Sequence, residues 1–220
     1  MESLNLNTFS ISARCKTTGM LGVAVSTARP AVGGLAPYVK AGVGAISTQA
    51  RLNPFYGIDG LAYLEKGLSP EEALAKCQAA DAEFEMRQVA MVDNKGNTAA
   101  FTGDQTVPWA GHYVGDQFVV AGNMLVGEET IQAMAKSFEL SESGYLPERL
   151  LAALKAGQDA GGDKRGKQSA ALYVVHDQEY PIVDIRADEH PDPVTDLHRI
   201  YEVCKKDLFP YVESMAKRNS

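Results

Sequence analysis

The sequence has 220 residues, 45% of them hydrophobic, and a formal net charge of −7 at pH 7. This length and composition suit one domain with a sizeable core. The sequence has no basic run or basic–aromatic patch, and no apolar run approaches the about 18–20 residues of a membrane-spanning helix, so neither nucleic acid nor a membrane is an expected partner.

The cysteines and the first residues indicate the compartment. Cys15, Cys77 and Cys204 are far apart and form no CxxC or Cys/His metal-ligand spacing, which favours reduced thiols in a cytosol. The segment Met1–Asn7 lacks the basic and apolar regions of a signal peptide. We therefore expect a cytoplasmic protein. The sequence Gly42-Val43-Gly44 lacks the third glycine of a dinucleotide loop, so no cofactor is expected.

The first predicted element is a strand at Thr8–Arg14. Its residues alternate between polar and apolar, which is typical of a strand with one buried face. If the chain began at Thr8, the free α-amine, with a pKa of about 7.7–8.0, would take the hydroxyl proton and activate Oγ as a nucleophile. Because Met1–Asn7 precedes Thr8, that role requires that the segment be cleaved or bypassed by a later start, and a protein that retains the segment is inactive. Otherwise Thr8 is an ordinary strand residue.

The patterns that follow predict groups of strands and helices. The first half gives a strand at Leu21–Val25, a Gly- and Val-rich region at Ala31–Ala50, a helix at Ile58–Glu65, a helix with N-cap Ser69, and a hairpin of Gln88–Val92 and Thr98–Thr102. The second half gives a loop at Val107–His112, a strand at Phe118–Ala121, a helix with Glu128 and Glu129 in its first turn, a helix at Pro147–Ala156, strands at Ala170–Val175 and Ile182–Ala187, and a helix from Pro193 that ends before Pro210.

This order of elements indicates the fold class. Strand hairpins dominate and the helices come mostly in pairs, which argues against a doubly wound parallel sheet. An α+β fold of two stacked sheets with helices on the outer faces, in four layers, fits better.

Eight segments in one order match a known family. They are Thr-Phe-Ser-Ile at Thr8–Ile11, Leu-Gly-Val-Ala-Val-Ser at Leu21–Ser26, Ala-Gly-Val-Gly-Ala with Thr-Gln-Ala within Ala41–Ala50, Ala-Phe-Thr-Gly at Ala100–Gly103, Pro-Trp-Ala-Gly-His at Pro108–His112, Gly-Asn-Met-Leu at Gly122–Leu125, Gly-Gly-Asp-Lys-Arg-Gly-Lys-Gln-Ser-Ala-Ala-Leu at Gly161–Leu172 and His-Pro-Asp-Pro at His190–Pro193. On these segments the chain resembles the domain of unknown function 1028 family from Thr8 to Tyr201.

That family is similar to the N-terminal-nucleophile (Ntn) hydrolases. The resemblance implies a four-layer αββα sandwich in which a Thr, Ser or Cys freed at the N-terminus attacks an amide carbonyl, and it puts Thr8 in that role. In typical members the threonine directly follows the initiator methionine. This chain departs from that pattern by its extension Met1–Asn7.

Two further residues are candidates for catalysis. Asn123 follows a strand after a glycine, where its amide would donate to an oxyanion, although a turn asparagine bonding its own backbone is an equal alternative. Lys40 lies shortly after the second strand, and an ammonium there would lower the pKa of a nearby amine or hydroxyl. A solvated surface lysine is the alternative for Lys40.

The candidates for substrate binding lie mainly in loops. Asp163, Arg165, Gln168 and Ser169 form a polar cluster that opens a strand, and the arginine offers a fork for a carboxylate; a flexible surface loop is the alternative. Asp188 and His190 follow the last strand and border either a pocket or solvent.

His112 stands beside Trp109 and contacts substrate or fixes its loop. Together with Asp188 and His190 it forms the one combination that the sequence offers for a metal, since two histidines and a carboxylate are a known ligand set. No helix carries paired histidines at i, i+4, so no metal is expected and a metal-assisted hydrolase is the weakest alternative.

We expect Thr8, Gln49, Arg51, Asn123 and Arg165 to converge on one cleft. The two arginines would make this cleft positive in a chain of net charge −7, which favours an anionic ligand such as a carboxylate-bearing amide.

The resemblance then implies an amidohydrolase that acts on a small amide or ureide. The alternative is a non-catalytic ligand-binding protein with the same fold. The expected organisation is an extension at 1–7, one domain at 8–205 and a tail at 206–220, and a homo-oligomer is compatible with the sequence.

Overall fold

The computed structural model describes residues 8–141 and 143–218, so the predicted extension at 1–7 lies outside the described residues. The described residues form ten strands and six α-helices. The strands are β1 Thr8–Arg14, β2 Leu21–Thr27, β3 Pro37–Lys40, β4 Gly44–Ala50, β5 Arg87–Asp93, β6 Thr98–Thr102, β7 Gly111–Gly115, β8 Phe118–Gly122, β9 Ser169–Val175 and β10 Pro181–Ala187. The helices are α1 Phe55–Glu65, α2 Pro70–Ala79, α3 Glu129–Leu140, α4 Leu146–Asp159, α5 Pro193–Lys206 and α6 Leu208–Glu213.

The strands form two antiparallel sheets that stack face to face. A six-stranded sheet has the order β10-β9-β2-β1-β8-β7, and a four-stranded sheet has the order β3-β4-β5-β6. Helices α3, α4 and α5 cover the first sheet, while α1 and α2 cover the second. The predicted α+β, four-layer αββα sandwich is therefore confirmed, and β1 lies inside the larger sheet between β2 and β8.

The alternation along β1 separates two interiors. Phe9, Ile11 and Ala13 pack into the large core under α3, α4 and α5. The intervening side chains face the second sheet, since successive residues of a strand point to opposite faces. Ser12 Oγ donates to the carbonyl of Ala90 in β5 at 3.4 Å, so one face of β1 is apolar and the other is polar although both are buried.

The N-terminus of α2 has the predicted capping box. Ser69 Oγ accepts from the backbone N–H of Glu72 at 3.2 Å, and the Glu72 carboxylate accepts from the N–H of Ser69 at 2.8 Å. These two bonds satisfy amides that the first turn of a helix leaves unpaired.

Two elements differ from the sequence prediction. The predicted loop at Val107–His112 ends inside β7, a strand that was not predicted and that pairs with β8 at the edge of the large sheet. The last predicted helix corresponds to α5, which ends at Lys206, and it is followed by an unpredicted helix, α6. Pro210 lies in the first turn of α6, where a missing N–H costs no intrahelical bond. Of the helices within 8–141 and 143–218, none combines the length and apolarity needed to cross a membrane.

Candidate functional site

Thr8 opens β1 at the end of the sandwich where the two sheets meet. It is fully buried, and because Phe9 faces the helical core, Thr8 lies on the face of β1 that is turned toward the second sheet. Its carbonyl accepts from the backbone N–H of Asn123 at 3.0 Å and from Gln49 Nε2 at 3.4 Å. The structure therefore brings together three of the five residues that were expected to converge.

Gln88, at the start of β5, connects these residues. Its Oε1 accepts from Gln49 Nε2 at 2.7 Å and from Asn123 Nδ2 at 3.0 Å. Its Nε2 lies 2.8 Å from the carbonyl of Gly122 and 2.9 Å from Thr102 Oγ1. The sequence analysis did not single out Gln88. The sequence offers one signal for it, an amide side chain at the start of a predicted strand.

Two serines hold the oxygen end of the Gln49 side-chain amide. Ser10 Oγ donates to Gln49 Oε1 at 2.8 Å and lies 2.9 Å from Ser47 Oγ. Gln49 therefore accepts through its oxygen and donates through its nitrogen, so its amide orientation is determined by its neighbours on both sheets. The amide of Asn123 carries two hydrogens, and the described contacts use one of them, which leaves one N–H for a ligand.

A small cavity of about 200 Å³ adjoins Asn123. Arg51 supplies its charged lining group, and Met86 and the 105–107 loop complete the wall. Arg51 Nη1 is 2.9 Å from Glu83 Oε1, with both side chains more than two-fifths exposed. Ala50 has a positive φ of 66°, a strained conformation for a non-glycine residue that is often found at functional sites.

A buried ion pair holds the backbone of Arg51. Arg87 Nε lies 2.7 Å from Asp81 Oδ2, and both side chains are less than one-tenth exposed. Arg87 Nη1 donates to the carbonyl of Arg51 at 2.7 Å. The hydrogen bonds from Arg87, which outweigh the opposing effect of burial, hold the pKa of Asp81 well below its usual range, so the pair is ionised at neutral pH.

The polar loop before β9 reaches the same end of the sheet. Asp163 is buried and accepts from the N–H of Ala28 at 3.1 Å. Ala28 follows Thr27, which is the partner of Thr8 in the β1–β2 register. Arg165 Nη2 lies 3.1 Å from Asp163 Oδ2, with 29% of the arginine side chain exposed. Arg165 is thus at the Thr8 end of the sheet.

Gln168 and Ser169 make contacts that shape the backbone. The N–H of Gln168 donates to the carbonyl of Thr27 at 2.8 Å. Ser169 Oγ donates to the carbonyl of Arg29 at 2.6 Å and accepts from the N–H of Val32 at 3.1 Å. Because Ser169 is fully buried, its described bonds fix the segment after β2, and a role in substrate binding stays a prediction.

Asp188, His190 and His112 lie farther apart than a shared metal site requires. Asp188 and His190 follow β10, whereas His112 lies on β7, and these strands are opposite edges of the large sheet. Five inter-strand steps separate the edges, which is about 24 Å. The alternative of a metal site built from these three residues therefore has no support in the structure. Within the described residues, no group of three or more His, Cys, Asp or Glu is arranged to hold a metal ion.

Each of these histidines has a local partner. The N–H of His190 donates to the carbonyl of Gln168 at 2.8 Å, so this segment joins the end of the sheet near Thr27. His112 Nδ1 lies 2.9 Å from Thr102 Oγ1, which continues the hydrogen bonds of Gln88 toward the surface. Loss of water around its ring lowers the pKa of His112 and favours the neutral imidazole.

Lys40 does not join the site, and this prediction is corrected. It ends β3 opposite Gly44, at the far end of β4 from Gln49. Its Nζ forms an exposed ion pair with Glu65 at 2.6 Å. The strand register decides this placement, because five residues of extended chain separate the two ends by about 17 Å.

The sequence profile of a family of unknown function, DUF1028, matches residues 8–197. This chain belongs to that family. The match begins at Thr8, the first residue of β1. A crystal structure of a DUF1028 protein from Silicibacter pomeroyi is 33% identical, with a TM-score of 0.86 over 93% of this chain and 92% of that chain.

More distant structures were also found. Anbu (ancestral beta-subunit) from Yersinia bercovieri is 12% identical, with a TM-score of 0.41 over 96% of this chain and all of that chain. An Anbu mutant from Hyphomicrobium sp. strain MC1 is 12% identical, with a TM-score of 0.43 over 97% of this chain and all of that chain. No protein of curated function matches the sequence.

Proposed function

We propose that this DUF1028 protein is an amidohydrolase in which Thr8, once freed at the N-terminus, is the nucleophile. The observation that carries the proposal is the position of Thr8. It begins a central strand of the larger sheet, on the face turned toward the second sheet, and Gln49 and Asn123 bond its carbonyl. A cavity containing Arg51 adjoins Asn123.

The chemistry follows from the groups at this position. The free α-amine of Thr8 takes the hydroxyl proton while Oγ attacks the amide carbon of the substrate. The remaining N–H of Asn123 donates to the oxyanion. The C–N bond then breaks, the proton passes to the leaving amine, and an ester on Thr8 remains. Water hydrolyses this ester and returns the hydroxyl group.

The size and charge of the cavity favour a small anionic substrate. A volume of about 200 Å³ is below the about 300–1,000 Å³ that is usual for drug-sized ligands. Arg51 lines the cavity, and Arg165 lies at the same end of the sandwich. A guanidinium binds a carboxylate in a bidentate manner, so we propose a carboxylate-bearing amide or ureide. The free cysteines among the described residues support a cytoplasmic site of action.

Removal of Met1–Asn7 is a requirement of this proposal. In the sequence as written, the nitrogen of Thr8 is part of the peptide bond to Asn7 and cannot act as a base. Protein that starts at Thr8 is therefore expected to hydrolyse members of a panel of small amides and ureides. Protein that retains the seven residues is expected to be inactive.

The experiment compares three proteins under identical conditions. These are the full chain, a form beginning at Thr8, and the same shortened form carrying Thr8→Ala. Ammonia or amine release is measured over the panel, and the intact mass of protein from the native host shows which form exists there. If the shortened form and its Thr8→Ala variant are equally active, the role of Thr8 is overturned.

Because the nitrogen of Thr8 is part of a peptide bond in the sequence as written, a second function is also supported, that of a non-catalytic ligand-binding protein with the same site. This second function predicts that protein from the native host retains Met1–Asn7 and binds carboxylate-bearing ureides without turnover. Calorimetry on that full chain, together with its intact mass, separates this function from the amidohydrolase.

A further inference from the structure

A second cavity lies in the outer helical layer, between α1 and α2. Its volume is about 290 Å³. Phe55, Asp59 and Tyr63 line it from α1 at spacings of i, i+4 and i+8, so they share one helix face. Cys77 and Ala80 stand opposite, and their small side chains leave the gap between the helices open.

This cavity is separate from the Thr8 site. Cys77 belongs to the apolar core between α1, α2 and the four-stranded sheet. Gln49 and Ser47, which are on the opposite face of that sheet, belong to the network around Thr8. A ligand between α1 and α2 therefore touches none of the residues that bond Thr8, although Asp81 on its wall pairs with Arg87, which holds the backbone of Arg51.

One carboxylate in the cavity is available to a ligand. Asp59 is exposed and, within the part of the chain that the structure describes, makes no ion pair or hydrogen bond. The second acid, Asp81, is already occupied, because its oxygens accept from Arg87, from Asn53 and from the N–H of Glu83. The aromatic rings on either side of Asp59 present negative π faces, which attract cations.

A buried hydroxyl group also lies on the cavity wall. Tyr56 lines the cavity and is 1% exposed, and its hydroxyl lies beside the Asp81 carboxylate. Burial, reinforced by the charge of Asp81, raises the pKa of Tyr56, so the group stays neutral. Its oxygen is able to accept a hydrogen bond from an N–H donor.

We propose that the cavity between α1 and α2 binds a small organic cation of the alkylammonium class, with Asp59 as its counter-ion and Phe55 and Tyr63 as aromatic walls. The Lys76 ammonium lies 5.9 Å from the Tyr63 ring centroid, so this ring already carries one cation of the protein. An anion meets the unpaired Asp59 carboxylate and is repelled, and a neutral ligand gains nothing from that charge.

The test is a titration of the full chain with butylammonium chloride at constant ionic strength, followed by the amide resonances of α1 and α2. Titration with 1-butanol provides a neutral ligand with the same alkyl chain. Butylammonium is expected to saturate the shifts of residues around Asp59, and 1-butanol is not. Asp59→Asn should raise the dissociation constant about fivefold, the factor that corresponds to about 1 kcal/mol of ion pairing.

Two further variants separate the site from general charge effects. Glu71→Gln removes the same charge from the first turn of α2, at the opposite end of that helix, and should leave binding unchanged. Phe55→Leu removes a ring that is 60% exposed and should weaken binding. Equal binding of 1-butanol and butylammonium, or equal weakening by Asp59→Asn and Glu71→Gln, would overturn the proposal.

Discussion

Replacing Gln88 with leucine is expected to destabilise the protein by about 3–5 kcal/mol. The substitution keeps the approximate volume but removes every polar contact of the side chain. Asn123 Nδ2 loses its acceptor at 3.0 Å, Gln49 Nε2 loses its acceptor at 2.7 Å, and the carbonyl of Gly122 loses a donor at 2.8 Å. Each buried group left without a partner costs about 1–3 kcal/mol.

The estimate lies in the lower part of the summed range of about 3–9 kcal/mol because part of the loss is recovered. Gln49 Nε2 keeps its contact with the Thr8 carbonyl at 3.4 Å, and the leucine adds apolar contacts. Gln49, Gln88 and Asn123 are all buried, so water cannot replace the lost bonds without opening the space between the sheets.

The assay is equilibrium unfolding in urea, followed by circular dichroism. The expected result is a lower midpoint with an unchanged m-value. Gln132→Leu is the matched control, because Gln132 lies on α3 and its side chain bonds Glu128, one turn earlier, at 2.9 Å. It should change stability by no more than about 0.5 kcal/mol. If the Gln88 variant loses less than about 1 kcal/mol, the network does not fix the amides beside Thr8.

Three other predictions concern the ion pair, the arginine of the polar loop and the helix cap. Asp81→Asn should cost about 3–5 kcal/mol at pH 7. Because Arg87 keeps the pKa of Asp81 well below its usual range, this stabilisation is complete above the unfolded pKa of about 3.9 and is lost gradually as the pH falls toward the folded pKa. The difference in urea midpoint between the wild type and Asp81→Asn should therefore be smaller at pH 3 than at pH 7, and a constant difference would contradict the linkage. Arg165→Ala should weaken binding of N-carbamoylglycine by about 1.5–3 kcal/mol in calorimetry, whereas Lys40→Ala should not, and equal effects would remove Arg165 from the site. Ser69→Ala should cost about 1 kcal/mol of unfolding free energy, and an unchanged urea midpoint would show that the cap is dispensable.

The sequence by itself determined the local elements and the class of fold. The alternation of Thr8–Arg14 predicted β1 with the same bounds, and Ser69 with Glu72 predicted the start of α2, because both signals lie within a few residues of chain. Edge strand β7 was not predicted, since its half-exposed residues form a strand only through pairing with β8.

Only the tertiary structure decided which polar residues meet. Asn123 and Gln49 are far apart in the sequence, and both reach Gln88 because strands of the two sheets end at the same place. Lys40 is nearer to Gln49 in sequence, yet it lies at the other end of the sheet, since β3 and β4 are antiparallel. Sequence patterns report which side of a strand is buried, whereas strand register and sheet stacking determine what that side faces.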